Sequence, residues 1–153
     1  MEEIKYILND DLDMLQHPVG SNLMENIPLI EIMAKEFTQI SEYRNKRVNI
    51  ICRGSSGAII GAIFSQKIPN EYSIAHVKKP GEDSHSNFIN LWEENSINII
   101  IDDFISSGNT LNAIWDRMIK KDEGFKVHCV IVGGSAKAYK LNFVPDYFIC
   151  QNK

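Results

Sequence analysis

The sequence predicts an α/β fold: a parallel sheet of about five strands flanked by helices, with a small N-terminal helical hood. Three observations carry this prediction. Short continuous apolar runs rich in β-branched residues, such as VNIIC (48–52) and INIII (97–101), read as strands buried on both faces. Segments with apolar residues at helical spacing alternate with these runs. The joins are short and rich in glycine and hydroxyl residues, as in RGSSG (53–57) and SSGNT (106–110).

Along the chain, Ile4, Ile7, Leu8, Leu12 and Leu15 recur at helical spacing and predict a first helix, broken by HPVG (17–20). Pro28 suits the first position of a second helix, with Leu29, Ile30, Met33, Phe37 and Ile40 on its apolar face. SEYRNKR (41–47) is a polar turn, and the rhythm then changes to strand and helix in alternation. VNIIC is the first strand, RGSSG a turn and AIIGAIFSQ (58–66) a helix. YSIAHV (72–77) is a second strand, followed by KKPGEDSHSN (78–87), a polar, breaker-rich loop expected to move. INIII precedes the helix TLNAIWDRMIK (110–120); KVHCVIV (126–132) and YFIC (147–150) complete the strands. The expected organisation is a single domain over 1–153, with residues 1–45 as the hood and 46–153 as the α/β core.

Composition narrows the function classes. At 153 residues, 44% hydrophobic and 24% charged, the chain is ordinary for a globular domain with a real core. No apolar run approaches the roughly 20 residues of a membrane span. The start, MEEIKYILNDDLD, is acidic where a secretion signal is basic and then apolar, so no membrane and a cytoplasmic location are expected. A formal net charge of -4 without a dense Lys/Arg cluster argues against nucleic acid as a partner. Cys52, Cys129 and Cys150 are odd in number, far apart, and in or beside apolar runs, the pattern of buried free thiols.

Two strand-turn-helix joins carry chemistry: CRGSSGAIIG (52–61) and IDDFISSGNTL (101–111). In open parallel sheets ligands bind at the carboxyl ends of the strands. Backbone N–H groups at a helix N-terminus, with small hydroxyl residues beside them, suit a phosphate. Neither join is a dinucleotide fingerprint, and neither has the lysine of an ATP-type phosphate loop. The adjacent carboxylates Asp102 and Asp103 repel each other and lose water at the end of a buried strand. Either one caps a helix while the other is solvated, or the pair holds something that needs two acids. The turn that follows, Ser106, Ser107, Gly108, Asn109 and Thr110, favours the second reading. The turn can wrap a phosphate, while the acids accept hydrogen bonds from sugar hydroxyls or sit near a Mg2+ held mainly by ligand oxygens and water. A sugar phosphate fits both halves.

IIIDDFISSGNTL (99–111) resembles the phosphoribosyl-pyrophosphate (PRPP) binding motif of type I phosphoribosyltransferases: apolar residues, two acids, two more residues, then a small hydroxyl- and glycine-bearing loop. The order of features is similar as well. Arg53-Gly54 stands where the family places its pyrophosphate loop, VKKPGEDSHS (77–86) where it places a closing loop, and Pro145-Asp146-Tyr147 resembles the run into its last core strand. The resemblance spans residues 46 to 150. It implies a Rossmann-like core and a pentosyl-transferring enzyme that uses PRPP and Mg2+, releases pyrophosphate and works as a homodimer, with a nucleobase as acceptor. By the same resemblance, Asp102 and Asp103 bind the ribose hydroxyls and approach the metal indirectly. Ser106, Ser107, Gly108, Asn109 and Thr110 cradle the 5-phosphate. Arg53, Gly54 and Lys78 meet the pyrophosphate, with a strained non-proline cis peptide allowed at Arg53-Gly54. Lys79 and His85 come down with Lys78 as the loop closes.

Departures from the family pattern shape the expected acceptor. Ser106 stands where 6-oxopurine enzymes commonly carry an acid that acts as a base toward the purine. The expected acceptor is therefore of the orotate, adenine or xanthine type rather than hypoxanthine or guanine. Glu82 and Asp83 precede Ser84 and His85, where orotate-type loops carry a further lysine, and the sequence stops at Lys153, straight after the fifth strand. An acceptor pocket is then expected from residues 1–45, the 133–140 segment GGSAKAYK and a partner subunit. The same departures motivate an alternative: a catalytically inactive protein of this fold that binds PRPP or a nucleotide and regulates a partner. Phe37, Tyr43 and Tyr139 can stack on a base or fill a core, and Phe37 reads as core. An unrelated hydrolase or kinase lacks support, since there is no G-x-S-x-G elbow and no phosphate-loop lysine.

Overall fold

The computed structural model describes residues 3–18, 22–77, 96–106, 108–136 and 140–153. The elements run β1 (Lys5–Leu8), α1 (Asn22–Thr38), a 3-10 turn (Ser41–Tyr43), β2 (Arg47–Arg53), α2 (Gly54–Ser65), β3 (Tyr72–Val77), β4 (Ser96–Phe104), α3 (Asn109–Lys121), β5 (Cys129–Gly133) and β6 (Tyr147–Cys150). Six strands form one sheet in the order β1-β6-β5-β4-β2-β3. Every pairing is parallel, as runs apolar on both faces require.

Strand alternation feeds two cores. Ile50, Ile99, Ile101 and Ile131 face Phe37 of α1 and Ile60 and Phe64 of α2. Their neighbours Ile51, Ile100, Val130 and Val132 face Leu111, Ile114 and Met118 of α3. Phe37 stacks on Tyr43 at 5.6 Å and meets Phe64 edge-on at 5.7 Å, so it is core, as its spacing suggested. Cys52, Cys129 and Cys150 are buried and free. No helix of the described residues is long and apolar enough to cross a membrane.

The N-terminal region departs from expectation. The first predicted helix is instead the edge strand β1, paired in register Lys5↔Tyr147 to Leu8↔Cys150 with β6. Its side chains alternate: Ile4 and Tyr6 pack toward the α3 core, and Ile7 toward the other. Leu12 and Leu15, which completed the apparent helical period, are buried anchors of the extended segment that follows. The hood is therefore one strand, one strap and one helix, and the sheet has six strands rather than about five. Pro28 does not open α1 but lies inside it. An interior proline costs about 3 kcal/mol. Burial of Ile30, Met33, Ala34 and Phe37 offsets that, as does Asn26, whose amide grips the backbone of Gln16 at both ends (2.9 and 2.7 Å). Elsewhere, α2 begins at Gly54 and absorbs the predicted RGSSG turn, and β4 runs on through both acids to Phe104.

Candidate active site

The site is built at the carboxyl ends of β2 and β4. Arg53 ends β2 in extended conformation, and Gly54 takes φ +74°, a left-handed value that a side chain strongly disfavours. The Arg53-Gly54 peptide is trans, against the cis peptide the resemblance allowed: glycine's positive φ makes the sharp turn from strand to helix without it. A Cβ at Gly57 would lie 3.3 Å from Cys52 Cβ and 3.8 Å from Asp102 Oδ1. The first turn of α2 thus packs directly over the end of β2 and reaches the first acid.

Asp102 and Asp103 occupy an irregularity in the sheet. The register between β4 and β5 shifts between Ile101 and Phe104, so the acids escape the regular ladder. Asp102 is only 7% exposed and Asp103 is half-buried. Asp102 Oδ1 accepts the Asp103 N–H at 2.9 Å, and Asp103 Oδ1 accepts the Phe104 N–H at 2.9 Å. The capping alternative fails, because the N-cap of α3 is Gly108, at φ +78°. A glycine there supplies no capping side chain to the first turn of α3. Asp102 lines a shallow cleft of about 20 Å³ with Phe104, Ile105, Ser106, Gly108, Thr110 and Leu111. One carboxylate therefore borders both glycine-bearing turns.

Several residues of the rim were not legible in the sequence. The strap after β1 crosses the ends of the strands: Gly134 N–H donates to Leu12 O at 3.1 Å. A Cβ at Gly133 would meet Asp13 O at 2.5 Å, Leu15 Cδ1 at 2.6 Å and Asp103 O at 2.9 Å. The strap ends at His17, whose Nδ1 lies 2.5 Å from Ser56 Oγ in the first turn of α2. On β3, His76 pairs in register with Cys52. Its Nε2 and the Nε of Arg53 are buried without a hydrogen-bond partner among the described residues, a cost that a bound polar group would remove. No motif spacing announces these contacts; only the order of the strands creates them.

Of the residues singled out in the sequence, Asp102, Ser106, Gly108 and Thr110 share one cleft, with Asp103 beside it and Asn109 opening α3. Arg53 and Gly54 stand on the adjacent strand end. Lys78, Lys79, His85, Ser107 and Tyr139 lie outside the described residues. Tyr43 is packed at the opposite end of the sheet, donating its hydroxyl to His128 O at 3.0 Å, and cannot reach an acceptor here. Cys52 is no nucleophile: burial, and then the Asp102 charge, push its thiol up to about 12. Among the described residues no three His, Cys, Asp or Glu side chains gather as a metal cage. Two adjacent carboxylates would sit beside a Mg2+ held mainly by ligand oxygens and water rather than cage one.

A family model described as "phosphoribosyl transferase domain" matches residues 21–149. No curated protein matches the chain. Among solved structures, a hypoxanthine-guanine phosphoribosyltransferase from Bacillus anthracis aligns with TM-score 0.56 and 14% identity, over 83% of this chain and 77% of that one. A hypoxanthine phosphoribosyltransferase from Staphylococcus aureus aligns with TM-score 0.55 and 16% identity, over 86% and 80%. At these identities the likeness establishes the fold, and the family match, which covers most of the chain, goes further. The chain belongs to the phosphoribosyl transferase domain family, a family of pentosyl-transferring enzymes.

Proposed function

We propose that the protein transfers the 5-phosphoribosyl group of PRPP to a nucleobase and releases pyrophosphate. The observation that carries this reading is the position of Asp102, which borders both the Ser106–Thr110 cleft and the first turn of α2. A sugar bearing phosphates at two ends needs that arrangement: one anion site on each side of a carboxylate that accepts hydrogen bonds from hydroxyls.

In this reading Asp102 and Asp103 accept hydrogen bonds from the ribose hydroxyls. The first turn of α3 and Ser106, Ser107 and Thr110 hold the 5-phosphate, while Arg53, Gly54 and Lys78 hold the pyrophosphate. The bond from the anomeric carbon to pyrophosphate breaks with its electron pair leaving on pyrophosphate, and a ring nitrogen of the base forms the new bond and releases its proton to the departing pyrophosphate or to solvent. Little covalent work falls to the protein, which orients the partners, stabilises the departing charge with Arg53, Lys78, Lys79 and His85, and excludes water. Asp102 and Asp103 would stand beside a Mg2+ brought in with PRPP, and such an ion would supply neutralisation of pyrophosphate charge.

The acceptor we propose is of the orotate, adenine or xanthine type. Ser106 lines the cleft where an acid would serve as base toward a 6-oxopurine, and a serine hydroxyl is a poor substitute. The hypoxanthine-guanine and hypoxanthine names of the two solved structures attach to proteins 14% and 16% identical, a distance at which acceptor choice does not follow the fold. Acceptor selection falls to the hood and to the strap that ends at His17. Homodimerisation is part of the same reading and is checked by light scattering.

A pyrophosphate-release assay with PRPP, Mg2+ and separate nucleobases tests the proposal. Turnover with orotate, adenine or xanthine, and little with hypoxanthine or guanine, is expected. Preference for hypoxanthine or guanine would overturn the acceptor assignment. PRPP binding with no turnover on any base would instead favour the inactive, partner-regulating alternative.

A further inference from the structure

A cavity far larger than the cleft beside Asp102 lies at the other end of the sheet. It holds about 460 Å³, within the range of roughly 300–1,000 Å³ usual for small-molecule sites. Its rim carries three cations, Arg44, Lys46 and Arg47, against one carboxylate, Glu71, on a chain whose net charge is -4. Ile40 and Pro69 contribute an apolar wall. β2 spans seven residues from Arg47, on this cavity, to Arg53, at the candidate active site. At about 3.3 Å per residue the two sites are on the order of 20 Å apart.

The walls are held in place before any ligand arrives. Asn70 Nδ2 donates to Tyr43 O and to Lys46 O, both at 3.0 Å, tying the loop before β3 to the turn before β2. Arg47 is braced by Ser73 Oγ at 2.5 Å and by Glu71 at 3.7 Å. The turn itself is closed by Arg44 N–H to Ser41 O (3.2 Å) and Lys46 N–H to Tyr43 O (3.3 Å). Asn45 takes φ +62°, the single left-handed non-glycine residue described, which lets the turn present Arg44 and Lys46 on either side of it. A braced turn that carries cations around a concave, partly apolar space favours an anion with an organic body over a bare ion.

We propose that this cavity is a second ligand site, for a small organic phosphate, separate from the candidate active site. The phosphate pairs with Arg44 and Lys46, and the organic part lies against Ile40 and Pro69. This inference does not depend on the phosphoribosyl-transfer reading.

The test is titration of the ¹⁵N-labelled full chain with AMP, ribose 5-phosphate or inorganic phosphate, read by amide chemical shifts. Shifts at Arg44, Asn45, Lys46 and Asn70 are expected with AMP or ribose 5-phosphate. They should persist in Asp102→Asn/Asp103→Asn and weaken about tenfold or more in Arg44→Glu, the loss of one charge-assisted contact. Arg44 is exposed, so the variant should fold, and Lys46→Gln gives an independent second reading. Shifts confined to residues 53–57 and 102–110 would overturn the proposal. So would the absence of shifts at 44–47 with both organic phosphates, or inorganic phosphate binding as tightly as AMP.

Discussion

At the start of the strands the buried polar groups are closed upon one another. Asn49 Nδ2 donates to Asn98 Oδ1 at 3.0 Å, Asn98 Nδ2 to Lys126 O at 2.9 Å, and the Asn98 N–H to His128 Nδ1 at 3.0 Å. Tyr43 hydroxyl caps His128 O, and Tyr147 hydroxyl donates to Glu42. At the finish of the same strands the groups are held apart. Gly54 and Gly108 keep left-handed backbone, Asp102 is buried between two turns, and Arg53 Nε and His76 Nε2 lack partners. The buried polar groups at the start of β2 and β4 are spent on the fold, whereas at the finish Arg53 Nε and His76 Nε2 are buried without partners among the described residues. Binding sites commonly carry such local cost.

The largest effect should come from breaking the open end. In Asp102→Asn/Asp103→Asn, two charged acceptors at about 1.5–3 kcal/mol each are lost, which lowers PRPP affinity by about two to four orders of magnitude. Calorimetry would detect this, and unchanged affinity would remove the site from this place. Breaking the closed end should separate stability from binding. Asn98→Ala removes the acceptor of Asn49 and the donor to Lys126 O, while the backbone N–H to His128 stays, and should cost about 1–3 kcal/mol in denaturant unfolding while leaving PRPP affinity intact. Loss of affinity per folded molecule would contradict the division between the two ends.

A smaller, mixed effect is expected at Gly108. Alanine there must adopt φ +78°, costing about 1–2 kcal/mol, and the 5-phosphate turn should shift with it, so stability and PRPP affinity fall together. The smallest effect is a pH dependence of the closed end. His128 titrates below its usual 6.5 because it is buried, with Lys126 and Lys46 adding to the depression and Asp146 opposing it. Its Nδ1 also accepts the Asn98 N–H, which a protonated ring cannot do. The unfolded chain therefore takes up a proton before the folded one. Stability contributed by neutral His128 is complete above pH 6.5 and is lost as pH falls through the lower folded value. Thermal melts should show that decline, and His128→Gln should flatten it.

The core strands β2, β3 and β4, the helix α3 and the pairing of Asp102-Asp103 with the turn after them were legible in the sequence. Each is a local matter: period, β-branching, turn chemistry and the demand of two adjacent carboxylates for partners. The expected β1 helix fails for the opposite reason. Four residues, Lys5–Leu8, have too little intrinsic preference to decide, and their partner β6 lies at the far end of the chain. Pro28 likewise misleads about where α1 begins, because the grip of Asn26 on Gln16 is a tertiary contact.

Sequence by itself determined the α/β class and the joining of two acids to a glycine- and hydroxyl-bearing turn at 101–111, since both follow from neighbouring residues. Only the tertiary structure decided that Gly133 must be bare to let the strap pass, that His17 meets Ser56, and that Arg44, Lys46 and Arg47 surround a cavity with Pro69. Those contacts join residues that become neighbours only when the parallel strands take the order β1-β6-β5-β4-β2-β3. Strand order is set by the packing of whole elements, to which no short stretch of sequence is sensitive.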